Sequence, residues 1–175
     1  MVVFTSMDCS KQKSHASICD YRSGRAHRVV RSTLAGEAAA CDQAADSGVY
    51  MARFMSEVIF GAVDNTARAT RRQPCRVPRY ICTDSKSLYD SIKQVTPSLG
   101  EKRTTIDIFA IKESVADTDG KVMWLPTEYM KADALTKISK ALRDEMLIWM
   151  MDPYVVLRKE DVEKAFSVEF CLTAY

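Results

Sequence analysis

Residues 79–88 read RYICTDSKSL, and this stretch changes from a strand pattern to a helix start within a few positions. Residues 80–83 form a short run of the type that lies buried in a sheet, and the carboxylate of Asp84 follows directly. Ser85 or Ser87 can then cap the helix that comes next. A strand that leads through an acid into a helix indicates an α/β domain, in which functional residues gather at this edge of the sheet.

Strand patterns precede a long helix pattern on the N-terminal side of this stretch. The strand patterns cover residues 2–4, 15–21 and 26–31. Apolar residues then recur at steps of three and four over residues 34–62, which predicts a long helix with Ser32 or Thr33 as its N-cap.

The C-terminal side alternates strand and helix patterns. The basic, proline-containing residues 66–78 predict a loop, and residues 104–115 fit either a strand or a helix. Residues 121–125 predict a strand, and residues 154–157 also have a strand pattern. A single helix is predicted over residues 129–151, with one apolar face formed by Leu135, Ile138, Leu142, Met146 and Trp149. This order of elements indicates a mixed sheet covered by helices.

The composition indicates one globular domain without a zinc site. The 175 residues are 47% hydrophobic and 27% charged. The six cysteines include no C-x-x-C pair, and both histidines lie near the N-terminus, so no zinc-ligand spacing is present. Free cysteines and the lack of a secretory leader favour an intracellular protein, in the cytoplasm or the nucleus. The longest apolar run, residues 146–151, is too short to span a membrane.

The charge is distributed unevenly although the net charge is only +2. The half before residue 80 is basic and rich in arginine, whereas the other half is acidic. Arginine clusters suit a phosphate backbone, and a solvated surface that keeps the protein soluble explains them equally well. The first cluster is Arg22, Arg25, Arg28 and Arg31, and the second is Arg68, Arg71, Arg72, Arg76 and Arg79.

Three acids occupy positions that a metal-dependent nuclease would use. Glu37 lies in the first turn of the long helix and shares a face with Leu34 and Ala38, so we expect it to point at the sheet. Asp84 ends a strand, and Asp133 starts the last long helix. Each acid also has an ordinary explanation: a charge favoured by the helix dipole, an N-cap, and one surface acid among 23, respectively.

The residues around the three acids form recognisable motifs. Residues 31–38 read RSTLAGEA, residues 82–88 read CTDSKSL, and residues 125–137 read LPTEYMKADALTK. In the same order they resemble the R-S-T-x-A-x-E, (T/C)-D-(S/N) and (V/L)-(P/S)-T-x-x-x-x-A-D-x-L-T-K motifs of the RNase H domain in copia-type LTR retrotransposon polyproteins. Lesser matches are DYRSG at residues 20–24 and IDI at residues 106–108.

The resemblance implies an RNase H-like α/β fold, with a five-stranded mixed sheet and helices on both faces. It covers residues 1–151, so residues 152–175 form a C-terminal tail that it does not assign. It also implies a reverse transcriptase domain upstream in an intact polyprotein.

The same resemblance implies endonucleolytic cleavage of the RNA strand in RNA–DNA hybrids by a two-metal mechanism. Glu37, Asp84 and Asp133 would be the catalytic acids and would hold two Mg²⁺ ions, because hard divalent cations prefer oxygen ligands. We expect their carboxyl groups to lie within roughly 10 Å of one another. The nucleic acid would be bound by Arg22, Arg25, Arg28 and Arg31.

The match departs from the family at the N-terminus. Residues 2–6 match the family's second strand, whereas the fourth catalytic aspartate belongs to its first strand. Asp8 follows the strand and Asp20 belongs to another matched position, so neither replaces it. We therefore expect a self-associating sheet edge at residues 2–6, and binding of hybrid with little cleavage. A non-catalytic remnant that binds nucleic acid or protein with the same fold is the alternative.

Overall fold

The computed structural model of the chain describes residues 1–5, 13–24, 29–61, 76–97, 101–118, 120–135, 137–155 and 166–167. The elements in chain order are β1 (Val2–Thr5), β2 (Ser14–Asp20), α1 (Thr33–Phe60), β3 (Tyr80–Thr83), α2 (Lys86–Lys93), α3 (Lys102–Asp117), β4 (Lys121–Trp124), the 3₁₀ segments Thr127–Tyr129 and Lys131–Leu135, α4 (Lys140–Met151), β5 (Tyr154–Val155) and β6 (Phe166–Ser167). None of the helices in these ranges is both long and apolar enough to cross a membrane.

The strands form two three-stranded sheets, in the orders β1-β2-β5 and β3-β4-β6. β1, β2 and β5 are antiparallel, β3 and β4 are parallel, and β6 is antiparallel to β4. The mixed α/β class is therefore confirmed. The described strands do not form the single five-stranded sheet that the resemblance implied. Within the described ranges β1 pairs with β2 alone and β3 pairs with β4 alone, so no pairing joins the two sheets.

Helix α1 begins where the sequence predicted and connects the two sheets. The Ser32 hydroxyl accepts a hydrogen bond from the Ala35 amide at 3.1 Å, and the helix ends at Gly61, whose φ of 83° favours glycine. Its buried face consists of small residues, which let α3 pack closely, and it also contacts β1 and β3. These buried residues are Ala35, Ala38, Cys41, Ala45, Ala52 and Ser56.

The ambiguous residues 104–115 belong to helix α3. Ile108, Ile111 and Val115 follow a helical spacing and are buried, whereas Ile106 and Phe109 are exposed. The buried face of α3 completes a core with α1, α2, β3 and β4.

The prediction of one helix over residues 129–151 is wrong. The Ser139 hydroxyl accepts a hydrogen bond from the Leu142 amide at 3.4 Å, so α4 starts anew at Lys140. Before it, the Lys137 amide bonds to the Asp133 carbonyl at 2.9 Å. Ile138 consequently does not share an apolar face with the helix and is 98% exposed.

The other strand and loop predictions had mixed outcomes. The strands predicted at residues 2–4, 15–21 and 121–125 are confirmed within a residue or two by β1, β2 and β4. The predicted strand at residues 26–31 is not present over residues 29–31, and residues 25–28 lie outside the described residues. Of the loop predicted over residues 66–78, residues 66–75 also lie outside them.

Part of the C-terminal tail belongs to the sheets. β5 pairs with β2, and β6 pairs with β4. The Trp149 indole donates a hydrogen bond to the Tyr154 carbonyl at 2.9 Å, which holds β5 against the end of α4. Residues beyond position 151 therefore contribute one edge strand to each sheet.

A buried arginine joins the helices to the start of β3. Arg79 is only 7% exposed, and its guanidinium donates to the Ala45 carbonyl at 2.9 Å and to the Ser114 carbonyl at 2.7 Å. It also donates to the Thr118 hydroxyl. A Cβ atom at Gly120 would lie 3.1 Å from the guanidinium, so the absence of a side chain there makes room for it. Arg79 is therefore unavailable to a phosphate backbone, contrary to its grouping with the second arginine cluster.

We predict that Arg79→Met lowers the free energy of unfolding by about 3 kcal/mol, because several buried acceptors lose their donor. Urea unfolding followed by circular dichroism measures this change. The control is Arg76→Met, since Arg76 is exposed and its guanidinium lies 5.6 Å from the Phe60 ring. The control should change stability by less than about 0.5 kcal/mol. A similarly small effect of Arg79→Met would show that the core does not depend on this guanidinium.

Candidate carboxylate site

Glu37 lies in the second turn of α1, because the helix begins at Thr33. The prediction that placed it in the first turn is wrong, because Glu37 is the fifth residue of the helix. The effect of the helix dipole fades beyond the first turn, which weakens the ordinary explanation for this acid. Its side chain is partly buried, as expected for a residue next to the buried Ala38.

Asp84 follows β3 and is held by contacts from the end of β4. Ser85, not Asp84, is the N-cap of α2, because its hydroxyl accepts from the Leu88 amide at 3.4 Å. The Asp84 carboxylate accepts a hydrogen bond from the Thr127 hydroxyl at 3.2 Å. The Trp124 indole donates to the Asp84 carbonyl at 3.0 Å. Both contacts hold Asp84 in place. Its carboxylate does not cap α2, because Ser85 does so.

Asp133 lies in the 3₁₀ segment before α4, and its carboxylate pairs with the ammonium group of Lys137. The Asp133 side chain is 15% exposed. The 3₁₀ segment is connected to the residues that follow β2, because the Ser23 hydroxyl donates to the Leu135 carbonyl at 2.6 Å. The prediction that Asp133 starts a long helix is therefore wrong. Asp133 lies in a tight turn, and the hydrogen bond from Ser23 links this turn to a distant part of the chain.

The three acids form one electrostatic cluster, called the carboxylate cluster below. Burial raises the pKa of the Glu37 carboxyl group, and the charges of Asp84 and Asp133 raise it further. Lys137 acts in the opposite direction and lowers the pKa of Glu37. The pKa of Lys137 is raised, first by its hydrogen bond to Asp133 and then by the charges of the acids. Glu37 thus lies within electrostatic range of both Asp84 and Asp133.

The donor atoms of the cluster are the type that Mg²⁺ prefers. Carboxylate oxygens bind hard divalent cations, and such a cation would relieve the repulsion that raises the pKa of Glu37. Over the part of the chain that the structure describes, no three or more His, Cys, Asp or Glu side chains are grouped closely enough to hold a metal ion. The donor atoms therefore suit Mg²⁺ in type, but in the described residues they do not form a preformed metal site, and the three side chains would have to move together to bind one ion.

The predicted nucleic-acid-binding arginines have different surroundings. Arg31 lines an open groove of about 500 Å³ that also contains Glu37. Arg22 has a 76% exposed side chain and lies 3.9 Å from the Asp20 carboxylate. Arg25 and Arg28 lie outside the described residues. Arg31 is thus the arginine that the structure associates most directly with a cluster acid.

Sequence reasoning missed Thr127 and Lys137 as members of the site. Both occur in the segment LPTEYMKADALTK, within which only the aspartate was given a role. The motif itself contains the threonine and the lysine, so the signal was present. Which acids they contact depends on the turn geometry between residues 125 and 139.

No protein-family model matches the chain, and no curated protein or solved structure is significantly similar to it. Function is therefore inferred from the carboxylate cluster and from the motifs that contain it.

We predict that Glu37→Gln stabilises the protein at pH 8. The pKa of Glu37 is raised in the folded state, so its ionised form opposes folding above that pKa and has no such effect below the unfolded value of 4.5. Water and salt screen much of this repulsion because the side chain is only partly buried. The melting temperature should rise by roughly 1–2 °C at pH 8.

The rise in melting temperature of Glu37→Gln should shrink as the pH falls toward the values at which carboxyl groups are protonated. Melting curves recorded over a series of pH values measure this change. Glu57→Gln is the control, since Glu57 is an exposed acid on the same helix. A gain that does not change with pH, or a loss at pH 8, would contradict the electrostatic origin.

Proposed function

We propose that this chain is an RNase H-like domain that binds RNA–DNA hybrids and hydrolyses the RNA strand endonucleolytically by a two-metal mechanism. We further propose that its cleavage is weak, because the cluster in the described residues has three carboxylates whereas the resembled family uses four. This would be a retrotransposon-derived ribonuclease that functions next to a reverse transcriptase.

The observation that carries the proposal is that Glu37 lies within electrostatic range of the other two motif acids. Glu37, Asp84 and Asp133 are far apart in sequence and lie in different kinds of element, yet each affects the ionisation of the same site. Asp84 also lies at the carboxyl end of β3, beside the parallel strand β4. This sheet edge is where open α/β folds place their functional groups.

The chemistry follows from the roles of individual side chains. Glu37, Asp84 and Asp133 would hold Mg²⁺, which when bound activates water and stabilises the leaving oxygen. Thr127 orients Asp84 through its hydroxyl donor, and the turn at residues 133–137 fixes Asp133. Orienting the carboxylates matters because this mechanism depends on the position of the reacting oxygen atoms.

Binding of the hybrid would rest on arginine and on the shape of the duplex. Arg31 shares a groove with Glu37, so a phosphate bound there would lie beside the cluster. Arg22 is exposed on the segment after β2, which Ser23 connects to the 3₁₀ segment that contains Asp133. Phosphate contacts of this kind give affinity without sequence preference.

A non-catalytic nucleic-acid-binding or protein-interaction remnant is the second candidate function. It is favoured by the ion pair that already neutralises Asp133 and by the lack of a preformed three-ligand group in the described ranges. Cleavage distinguishes it from the first proposal, since a remnant would not cut RNA in any variant.

We predict salt-dependent binding of a labelled RNA–DNA hybrid, measured by fluorescence anisotropy. If the protein makes two or three phosphate contacts, raising the salt from about 50 to about 200 mM should weaken binding about 10- to 50-fold. Arg31→Gln should reduce the slope of log affinity against log salt by about one, and Arg143→Gln, an exposed arginine on α4, is the control. Hybrid binding that is independent of salt and of Arg31 would contradict the proposal.

Cleavage of the same hybrid tests the catalytic part. We expect little Mg²⁺-dependent cutting by the 175-residue chain. An added N-terminal strand that carries an aspartate should increase the cutting rate at least about tenfold, because it completes the ligand set. Asp84→Asn should then abolish the gain while binding persists. Strong cleavage by the chain itself would show that the described acids are sufficient or that another residue completes the site.

A further inference from the structure

We propose that the outer face of α1 binds a second copy of this chain, and that two α1 helices pair antiparallel about a two-fold axis beside Phe54. This face carries an exposed row of large side chains on the C-terminal half of the helix. The row consists of Tyr50, Phe54 and Val58 and is called the outer stripe below. The inference does not depend on the carboxylate cluster or on the proposed function.

The outer stripe is exposed although its side chains are large and apolar or aromatic. Tyr50, Phe54 and Val58 are 72%, 51% and 62% exposed, respectively. They recur every four residues, so they form one row along the helix. Single exposed apolar residues are ordinary, whereas a contiguous row of them is typical of an interaction surface.

The outer stripe lies on the side of α1 opposite the core. Ala52 and Ser56 belong to the buried face of the helix. Phe54 is two residues from each of them, so it lies roughly 200° around the helix axis from both. A second helix can therefore approach along the stripe without displacing any residue of the core.

Two charges beside the outer stripe are complementary under two-fold symmetry. Arg53 and Glu57 are exposed, lie on the same side of the stripe and take part in no ion pair among the described residues. Within one helix, a cation four residues before an acid is the weaker order for an ion pair. An antiparallel pair of helices places Arg53 of each copy across from Glu57 of the other. One axis therefore creates two identical ion pairs.

The same axis also matches the apolar side chains. Phe54 meets Phe54 of the second copy, and Tyr50 of each copy meets Val58 of the other. The opposite side of the stripe carries Met51 and Met55, which are partly buried. A parallel pair would set the charged side of one helix against this methionine side of the other, so the charges favour the antiparallel orientation.

The residues that follow α1 provide few side chains that could cover the outer stripe instead. Residues 62–75 read AVDNTARATRRQPC, and they contain one large aliphatic residue and no aromatic residue. A second copy supplies the same stripe, whose aromatic and aliphatic side chains match it in chemistry. This comparison favours a second copy as the occupant.

The area of the stripe predicts a weak dimer. An aromatic side chain buries roughly 150–250 Å² when it is fully covered, so the exposed parts of the three stripe residues in two copies provide roughly 600 Å². With the residues that flank the stripe, the interface reaches about 1,000 Å², which is the low end for specific association. We therefore expect a dissociation constant on the order of 50 µM. At a few micromolar the copies should be separate, and Glu57 remains exposed there.

The pairing leaves the carboxylate cluster uncovered. Glu37 and Phe54 lie in the same helix, roughly 25 Å apart along its axis. Because the two helices run in opposite directions, the clusters of the two copies lie at opposite ends of the pair. A change in pairing can therefore be measured without a change in the cluster.

The test is sedimentation velocity of the full chain at concentrations from about 2 to about 300 µM, which brackets the expected dissociation constant. The weight-average mass of wild type should rise from that of one chain toward that of two. Phe54→Glu should weaken the association at least about tenfold, because the pair would bury two carboxylates beside each other. The matched control is Ile148→Glu, which changes an equally exposed apolar residue on α4 and should stay within about twofold of wild type.

Charge exchange tests the orientation and the axis. Arg53→Glu and Glu57→Arg should each weaken the association about 5- to 10-fold, since either change creates two pairs of like charges. The double variant Arg53→Glu/Glu57→Arg should return to within about twofold of wild type. Both residues are exposed, so these variants keep the fold even where Phe54→Glu destabilises it, and circular dichroism checks this for each protein.

Three outcomes would overturn the proposal. A wild-type chain that stays monomeric up to about 300 µM lacks the pairing altogether. An equal loss in Ile148→Glu would show general apolar association, not pairing through α1. Association that none of the α1 variants weakens, or that the double variant does not restore, would place the interface on another surface or in another orientation.

Discussion

The arrangement of this domain depends on the burial of the Arg79 guanidinium. A buried cation is costly unless donors and acceptors are matched, and here α1 and α3 supply carbonyl and hydroxyl oxygens to it. The Arg79 carbonyl also accepts from the Lys121 amide at 2.9 Å, which places the start of β4 beside β3. The side chain of Arg79 thus contacts α1 and the C-terminal end of α3, and its backbone joins β3 to β4.

Two of the three acids in the carboxylate cluster belong to elements that Arg79 joins: Glu37 lies in α1, and Asp84 directly follows β3. The parallel register of β3 and β4 places Thr83 opposite Trp124, and the chain continues beyond them to Asp84 and Thr127. The Leu125 amide donates to the Thr83 carbonyl at 2.9 Å, so this pairing extends to the edge of the sheet. The same core packs α1, which carries Glu37, with β3 and β4, and Glu37 lies within electrostatic range of Asp84.

The carboxylate cluster lowers the stability of the folded state at a pH where its acids are ionised, which is the state that would bind a metal ion. Like charges and burial raise the pKa of Glu37, so the folded state holds an acid whose ionisation is disfavoured. Such conflicts are typical of functional sites, although structural ion-pair networks also produce them. Helix α1 contacts a strand of each sheet, and so it joins the two sheets, between which the described strands form no pairing.

Local signals in the sequence determined much of this protein. The strand, acid and helix at residues 80–93 and the Ser32 cap were predictable, because short apolar runs and capping hydroxyls act over a few residues. The three acids of the candidate site could also be named in advance, since they lie in motifs that are contiguous in sequence.

Tertiary structure alone decided the remaining features. Residues 129–151 have a helical pattern throughout, but the bond from Ser23 to the Leu135 carbonyl accompanies a turn that the pattern does not contain. In the sequence Arg79 resembled Arg76, which is exposed, but the helices supply acceptors around Arg79. The pairing of the Asp133 and Lys137 side chains likewise required the turn between them to form. Each of these contacts joins residues that come close only after the chain has folded or turned. The order of apolar and polar residues along the sequence does not specify which residues come close.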